Sequence, residues 1–278
     1  MVNKNTGNGD AGSVHQLLSV GAWIEQKGRE YGFQTGVDCE PAMPHFATCS
    51  EHGEYPLFEL DAHGINRWNP EGCPTCRTQQ RVERLMSRAA IPKRHAGCTF
   101  ENYIVESKGQ AHALDISRRF AAQFADHMKS GTSLLFIGTK GTGKNHLSAA
   151  IAKTILQQGF SVLHATAFEV TAKIKATWSK AGDEPRRHQL DVIDDFASVN
   201  LLILDEIGCG IANSTDSTLL FHIIDQRYQR CHPTLAISNF SLDVVEQWLT
   251  PPGLDRLREG GGDCVKLEWE SDRGHGAG

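Results

Sequence analysis

Residues 138 to 146 combine glycines, lysines and polar side chains at a spacing that could hold a phosphate. Gly138, four further residues, Gly143 and Lys144 lie between an apolar run and a segment with helical periodicity. Glycines let backbone N–H groups turn toward an anion, the start of a helix adds its dipole, and the lysine reaches the terminal phosphates. The sequence therefore predicts a nucleotide-binding loop, with a plain glycine turn between strand and helix as the alternative.

Asn145 stands where a phosphate loop usually carries serine or threonine, whose hydroxyl binds Mg²⁺. An amide carbonyl is also a hard oxygen ligand, so we expect magnesium binding to be weakened or reshaped rather than lost. We predict that ATP and Mg²⁺ bind at this loop. The residues assigned to the nucleotide are Gly138, Thr139, Lys140, Gly141, Thr142, Gly143, Lys144, Asn145 and His146.

Two carboxylates follow the apolar run "LLIL" at its C-terminal end, where open α/β sheets place their ligands. Asp205 is predicted to hold Mg²⁺ directly or through water, and Glu206 to orient and activate the attacking water. A carboxylate beside the metal ligand favours hydrolysis over transfer to a second substrate. The alternative is that Asp205 and Glu206 only cap the next turn.

Weaker signals come from two later residues. Asn239 ends the apolar run "TLAIS" and could sense the γ-phosphate, although an asparagine there is more often a turn residue. Arg256, with Arg258 nearby in "GLDRLREGG", could act as an arginine finger on a neighbouring subunit's nucleotide. Taken alone, a solvated surface arginine is the better interpretation.

Short apolar runs alternate with helical segments after Pro92, which is typical of an α/β layer fold. Fully apolar short strands favour a parallel sheet covered on both faces. The predicted strands are 133–138, 161–165, 200–205, 234–238 and 264–269.

A cysteine and histidine cluster precedes this region. "CSEH" and "CPTC" are two ligand turns separated by 20 residues, a spacing typical of a zinc ribbon in which one histidine replaces a cysteine. The predicted Zn²⁺ ligands are Cys49, His52, Cys73 and Cys76. Four such ligands close a structural site and would stabilise a segment that is poor in aliphatic residues. Free cysteines, or a set that uses Cys39, His45 or His63, are the alternatives.

Residues 77 to 94 carry five arginines and one lysine against a single Glu83, a formal charge of +5. Arginines recur there at helical spacing on one face and could follow nucleic-acid phosphates. A solvated linker helix explains the pattern equally well. The arginines of this face are Arg77, Arg81, Arg84 and Arg88.

The composition bounds the remaining possibilities. With 278 residues, 40% of them hydrophobic, the chain can form one large domain and a small one, and its net charge of −5 gives no general attraction to nucleic acid. No signal peptide or membrane span is evident, so we expect a cytoplasmic protein. The eight cysteines are then thiols or metal ligands.

We predict a domain order from these observations, with a short helix at 14–27 inside the N-terminal module. The predicted segments are a disordered tail at 1–13, an N-terminal module at 14–76 with the zinc ribbon at 39–76, a basic linker helix at 77–94, an ATPase domain at 95–270 and a flexible tail at 271–278.

The stretches "CTFENYIVESKGQAHAL", "GTKGTGKNHLSAAIA", "NLLILDEIG" and "LDRLRE", in this order, resemble the ATPase domain of the bacterial DnaC-type helicase loaders. The resemblance extends from about residue 95 to the end and includes the unusual "GKNH". It implies an AAA+ ATPase that binds the replicative helicase hexamer and assists the entry of single-stranded DNA, with ATP as a switch.

Carried over by motif, the resemblance makes Lys144 and Asn145 nucleotide and magnesium residues, and Asp205 and Glu206 the metal and water residues. Asn239 then becomes the sensor. Arg256 becomes the finger, which requires neighbouring subunits and so couples self-association to ATP. In this family another arginine often precedes the finger by one helical turn, where this chain has Pro252.

Three other functions stay open at this point. An IstB-like transposition-accessory ATPase would share the nucleotide site but bind duplex DNA. A small-molecule kinase would need an arginine-rich lid, which the sequence does not indicate, and Glu206 favours water. A zinc-ribbon adaptor that only binds ATP would show little or no turnover.

Overall fold

The computed structural model describes residues 46–60, 66–68, 72–178, 188–210 and 213–269. The chain divides into two compact units, Met1–Cys73 and Pro74–Gly278. The helix predicted at 14–27 and both predicted tails lie outside the described residues, as do Cys39, His45 and His63.

Two short antiparallel pairs make up the described part of the first unit. Strand β1 (Phe46–Cys49) pairs with β2 (Gly53–Pro56), and β3 (Phe58–Leu60) pairs with β4 (Asn66–Trp68). The first hairpin turns at Cys49 and Gly53, which face each other in the register, and Gly53 has the positive φ of +73° that the turn needs.

Helices and strands alternate in the second unit. In chain order they are α1 (Pro74–Arg88), a 3₁₀ turn (Lys93–His95), α2 (Lys108–Ala122), α3 (Phe124–Ser130), β5 (Leu134–Ile137), α4 (Lys144–Gln157), β6 (Val162–Thr166), α5 (Ala167–Ala176), α6 (Gln189–Ser198), β7 (Leu201–Ile207), α7 (Ser214–Gln229), β8 (Thr234–Ser238), α8 (Leu242–Leu249), α9 (Pro251–Arg258) and β9 (Asp263–Lys266).

The five strands of this unit form one parallel sheet in the order β6-β7-β8-β5-β9. All five strands predicted from the sequence are therefore confirmed, with ends that differ by a few residues. Because the strands are parallel, the ends of β5, β7 and β8 that carry the candidate residues lie at one edge of the sheet. Strand β8 lies between β7 and β5, which the sequence alone did not predict.

Both faces of the central strands β5, β7 and β8 are buried, as their apolar sequences indicated, whereas the edge strand β9 is partly exposed. Along β5, Leu134 and Phe136 pack into one core, with α2 and α4, whereas Leu135 and Ile137 pack into the other, with α5, α7 and α8. Alternating side chains of a strand point to opposite faces, so an apolar run without alternation must be covered on both sides.

The basic helix differs from its predicted range of 77–94. It starts at Pro74, where a proline fits the first helical turn, and ends at Arg88. Ala90 then has a φ of +55° and Pro92 precedes the 3₁₀ turn, so the helix cannot continue. Helix α1 packs against α4 and β6, which places it in the second compact unit.

Side-chain caps define the starts of several helices. Ser107 and Gln110 form a capping box at α2, and Thr166 with Glu169 forms another at α5, directly after β6. Among the described residues, no helix combines the length and apolarity that a membrane span needs.

Candidate nucleotide site and metal cluster

The phosphate loop begins directly after β5, at a position where there is no room for a side chain. Gly138 has a φ of +140°, and a Cβ at this position would lie 2.1 Å from the carbonyl oxygen of Leu267. Leu267 is held there because its N–H donates to the oxygen of Ile137 over 2.8 Å. Only glycine fits at the first position of the loop.

Two further glycines in the loop have positive φ, with +86° at Gly141 and +87° at Gly143. A Cβ at Gly143 would lie 2.7 Å from the ring of Tyr103. Gly143 is also the N-cap of α4, and no side chain caps this helix start. The N–H groups of its first turn are therefore the donors that an anion at a helix N-terminus uses.

Lys144 is buried, with 4% of its surface exposed, and its ammonium group lies inside the loop. Nζ donates to the carbonyl oxygens of Gly138 at 2.7 Å and Thr139 at 2.6 Å. Thr142 is buried and donates to Thr139 as well, over 2.9 Å. The ammonium group of Lys144 is thus held inside the loop, where phosphate oxygens could take the place of these carbonyl acceptors. Thr139 and Lys140 form the exposed tip of the loop.

Asn145 and Asp205 meet at the edge of the sheet, although they are 60 residues apart in the chain. The side-chain nitrogen Nδ2 of Asn145 donates to Oδ2 of Asp205 over 3.2 Å. Because the amide NH₂ faces the carboxylate, the amide oxygen is the atom of Asn145 that can bind a cation. Asp205 is buried, with 4% exposure, and carboxylate and amide oxygens are the kinds of ligand that Mg²⁺ uses.

Glu206 lies on a β-bulge. Its φ is +56°, and the β7–β8 register shifts between Leu204 and Ile207. Its N–H donates to Oδ1 of Asp205 over 2.6 Å, and its side chain is exposed at the edge of the sheet. A non-glycine residue in this backbone region is strained, and such strain is concentrated at functional sites.

Asn239 follows β8 directly and is half-buried. Because β8 lies between β7 and β5, this residue occupies the edge between Glu206 and the phosphate loop. The turn around it is fixed by Ser238, whose hydroxyl donates to the oxygen of Ile207 over 2.6 Å and accepts from the N–H of Phe240 over 3.1 Å.

His146 turns away from the carboxylates. Its Nε2 lies 2.8 Å from the carbonyl oxygen of Thr99, and its ring packs edge-on against Tyr103 at 5.3 Å between centroids. The side chain therefore connects α4 to the segment that precedes α2. Through its backbone, His146 still belongs to the first turn of α4. Tyr103, which also restricts Gly143, was not among the predicted site residues.

Arg256 is held within its own subunit. Its Nη1 lies 2.7 Å from Oδ1 of Asp225, and its guanidinium carbon lies over the rings of Phe221 at 4.7 Å and Tyr228 at 5.6 Å. All three partners are on α7, and 27% of the arginine side chain is exposed. To reach a neighbouring nucleotide, Arg256 would have to leave the carboxylate of Asp225.

Two histidines that the prediction did not include lie near Asp205. His164 on β6 places Nε2 at 3.4 Å from Oδ2 of Asp205. Burial is the main cause that lowers the pKa of His95; the positive charge of Arg94 lowers it further, whereas Asp205 acts in the opposite direction. The signal for His164 was present in the sequence, since it is the one polar residue within the run "VLHA".

The four predicted zinc ligands come together. The ligand atoms of Cys49, His52, Cys73 and Cys76 all lie within 4.8 Å of one another, and Sγ of Cys49 is 3.7 Å from Nδ1 of His52. Such separations are compatible with four ligands around one tetrahedral ion. The cluster could hold a metal ion.

The basic helix presents its arginines unequally. Arg81 donates from Nη2 to the carbonyl oxygen of Gly159 over 3.0 Å, so this side chain is bound to the loop between α4 and β6. Arg84 donates from Nε to the oxygen of Gln80 over 3.3 Å within the helix, and Arg88 is exposed. At Arg81, the predicted basic face therefore makes a structural contact.

Comparison with known proteins gives a consistent result. The family described as "IstB-like ATP binding protein" matches residues 72–258, which include α1 and the whole nucleotide site. The replicative helicase loader DnaC of Escherichia coli K12 is 32% identical over 193 residues, which is 69% of this chain and 76% of DnaC. The uncharacterized protein YdaV of Escherichia coli K12 is 31% identical over 233 residues, 82% of this chain and 86% of YdaV.

Among solved structures, a crystal structure of the DnaC helicase loader superimposes with a TM-score of 0.55 at 21% identity. The superposition covers 63% of this chain and 99% of that one. It supports a common AAA+ fold.

Proposed function

Because this chain belongs to the IstB-like family of ATP-binding proteins, we propose that it loads a replicative DNA helicase onto single-stranded DNA, with ATP binding and hydrolysis as the switch. Family membership, together with the fold, establishes that the chain is an ATPase. The observation that carries the loader assignment is the identity of 32% to DnaC across 76% of DnaC's length. The complete nucleotide site supports a working switch rather than an inert scaffold.

The site residues have separate roles in this proposal. Lys144 and the N–H groups of the loop bind the phosphates, Asn145 and Asp205 hold Mg²⁺, and Glu206 orients the attacking water. Asn239 lies where a polar amide can contact the γ-phosphate and respond to its loss. Magnesium supplies charge neutralisation between the phosphates when it is bound.

The partners belong to the proposal as well. They are the hexameric replicative helicase, single-stranded DNA, and further copies of this chain when ATP is bound. This work takes place in the cytoplasm, where the helicase and ATP are found. The exposed Arg84 and Arg88 of α1 are candidates for phosphate contacts with DNA.

The decisive experiment measures helicase capture and loading. The full chain is mixed with the host's helicase hexamer, ATP and Mg²⁺, and the helicase transferred to circular single-stranded DNA is counted. We expect loading by the native chain and none by Lys144→Ala, which removes the cation from the loop. Lys129→Ala is the matched control, because Lys129 is exposed and pairs with Asp126 on the same helix.

Duplex DNA tests the second candidate function, the IstB-like transposition-accessory ATPase, which the family name itself favours. Preference for duplex over single-stranded DNA, together with no helicase complex, would replace the loader with this alternative. ATP affinity is expected to be the same in both cases, so it does not discriminate.

We infer that Arg256 acts as a finger in trans. Asp225→Asn frees the arginine from its ion pair without removing it, whereas Arg256→Ala removes the charge. A finger role predicts that Arg256→Ala lowers partner-stimulated hydrolysis by orders of magnitude and that Asp225→Asn does not. Equal losses in the two variants would assign the ion pair to stability instead.

We also infer that the cysteine and histidine cluster holds a structural Zn²⁺. Metal analysis is expected to give one zinc per chain, and Cys73→Ser to release it while ATP binding persists. Removal of residues 1–73 takes away Cys49, His52 and Cys73 but leaves α1, which carries Cys76 and packs against α4 and β6. Loss of helicase binding in that truncation would identify the module as the docking site; unchanged binding would place docking on the ATPase domain.

A further inference from the structure

Beyond the predicted loop and carboxylates, one residue of the edge strand contacts the magnesium ligand. His164 lies on β6, which borders β7 in the sheet, and in the register it faces Ile203 while Thr166 faces Asp205. Residues 164 and 166 are on the same face of their strand, as are 203 and 205. The imidazole and the carboxylate are therefore diagonal neighbours on the face that α4 covers.

The contact is buried and specific. Nε2 of His164 is 3.4 Å from Oδ2 of Asp205, with only 11% and 6% of the two side chains exposed. A carboxylate only accepts hydrogen bonds, and the imidazole nitrogen that faces it can supply a donor when it carries the hydrogen. In a water-poor environment, such a contact acts more strongly than at the surface.

Asp205 is thereby held from three directions. Oδ2 receives Asn145 from α4 and faces His164 on β6, while Oδ1 accepts the N–H of Glu206. These contacts fix the rotation of the carboxylate and so decide which lone pairs remain for a cation. Groups that orient a metal ligand in this way strongly affect metal affinity.

The strand itself does not depend on the imidazole. The backbone N–H of His164 donates to the carbonyl oxygen of Ala89 over 2.8 Å, and this bond ties β6 to the end of α1 whatever the side chain is. An apolar side chain would suit a strand in this position. The imidazole is better explained by the carboxylate it faces.

We propose that His164 is a positioning residue that orients Asp205 for Mg²⁺ in the nucleotide complex. The inference rests on the proposed role of Asp205 as a magnesium ligand, and it assigns to β6 a part in metal binding. His164 itself does not touch the nucleotide or the metal.

Binding of Mn²⁺ as a spin probe tests this inference without relying on turnover. The full chain is saturated with ADP, and the bound fraction of Mn²⁺ is measured by electron paramagnetic resonance. For His164→Leu we expect about 10-fold weaker Mn²⁺ binding, with ADP affinity in EDTA changed by less than about twofold. His164→Gln, which keeps an N–H donor at nearly the same reach, is expected to restore most of the affinity.

Two controls separate the possible failures. His127→Gln changes a histidine of α3 that stacks on Phe120, far along the chain from the carboxylates, and should leave Mn²⁺ binding unaltered. Asp205→Asn tests the ligand itself. If Asp205→Asn weakens Mn²⁺ binding and His164→Leu does not, the positioning role is overturned; if neither weakens it, the assignment of Asp205 fails first.

Thermal unfolding distinguishes positioning from structural damage. Native-like melting of His164→Leu together with weaker Mn²⁺ binding supports the proposal. If His164→Gln is as impaired as His164→Leu, the hydrogen-bond donor is irrelevant and the proposal is wrong.

Discussion

Asn145 donates its side-chain amide to Asp205, with 3.2 Å between Nδ2 and Oδ2. This single contact joins the first turn of α4 to the end of β7 and leaves the amide oxygen of Asn145 available to other partners. The unusual residue in the phosphate loop is thus bonded to the carboxylate that we propose as a magnesium ligand.

Substitutions of Asn145 test the role of this hydrogen bond and of the amide oxygen. Asn145→Ser supplies the hydroxyl that such loops usually carry, so we expect Mg²⁺-dependent ATP hydrolysis to persist. Asn145→Leu removes both the metal oxygen and the donor to Asp205, and the Mg²⁺ concentration for half-maximal activity should rise about 10-fold or more. Titration of Mg²⁺ at fixed ATP gives both values; equal Mg²⁺ dependence of the two variants would contradict the assignment.

Gly138→Ala should impair the nucleotide site through the backbone. The added methyl group would lie 2.1 Å from the oxygen of Leu267, at a φ of +140° that side chains rarely adopt. Strain of about 1–3 kcal/mol at this turn, if it opposes the binding conformation, corresponds to a loss of ATP affinity of roughly 5-fold to 150-fold. Fluorescent nucleotide titration measures the loss.

Gly97→Ala is the matched control for that variant, because nothing lies within 4 Å of a Cβ at Gly97 and its backbone needs no glycine. Its ATP affinity should equal that of the native chain. A Gly138→Ala protein with native affinity would show that Leu267 yields easily and that the loop is not sterically fixed.

Arg227 is expected to dominate the stability of the second unit. It is fully buried, and its guanidinium donates to the side chain of Thr234 at 2.9 Å and to the carbonyl oxygens of Phe196 and Val199 at 2.8 Å each. Further bonds reach Asn200 and Pro233. Arg227→Met leaves these acceptors without a donor.

We predict that this substitution lowers the free energy of unfolding by about 3 kcal/mol or more. Arg230→Met, which breaks an exposed ion pair with Asp194, should cost no more than about 1 kcal/mol. Urea denaturation measures both changes. Similar small losses for the two arginines would mean that water replaces the buried guanidinium.

Acid should destabilise the protein through its half-buried histidines. Burial is the leading cause that lowers the pKa of His95, His127 and His232 below the ordinary 6.5. Between that value and the lower folded pKa, the unfolded chain binds more protons, so stability is present above about pH 6.5 and is lost as the pH falls.

Urea denaturation at pH 7.5 and pH 5.0 checks the sign. The free energy of unfolding should be smaller at the lower pH, and His127→Gln should reduce the difference because one of the three groups no longer titrates. A pH difference that is the same in the variant would exclude a contribution from His127.

The sequence by itself determined the parts of this protein whose signals are local. Five largely apolar runs predicted the five strands, since a central strand that is buried on both faces needs an apolar stretch. The glycines and Lys144 predicted the phosphate loop because their spacing follows from the turn itself. The residues of "CSEH" and "CPTC" do come together, as the spacing of their turns indicated.

Only the tertiary structure decided how distant segments meet. The strand order places β8 between β7 and β5 and so brings Asn239 to the edge between Glu206 and the phosphate loop. Segments far apart in the chain meet where His164 contacts Asp205 and where the carbonyl oxygen of Leu267 lies close to Gly138. Arg256 is held by residues of α7. These contacts depend on packing between elements, for which no short stretch of sequence carries a signal.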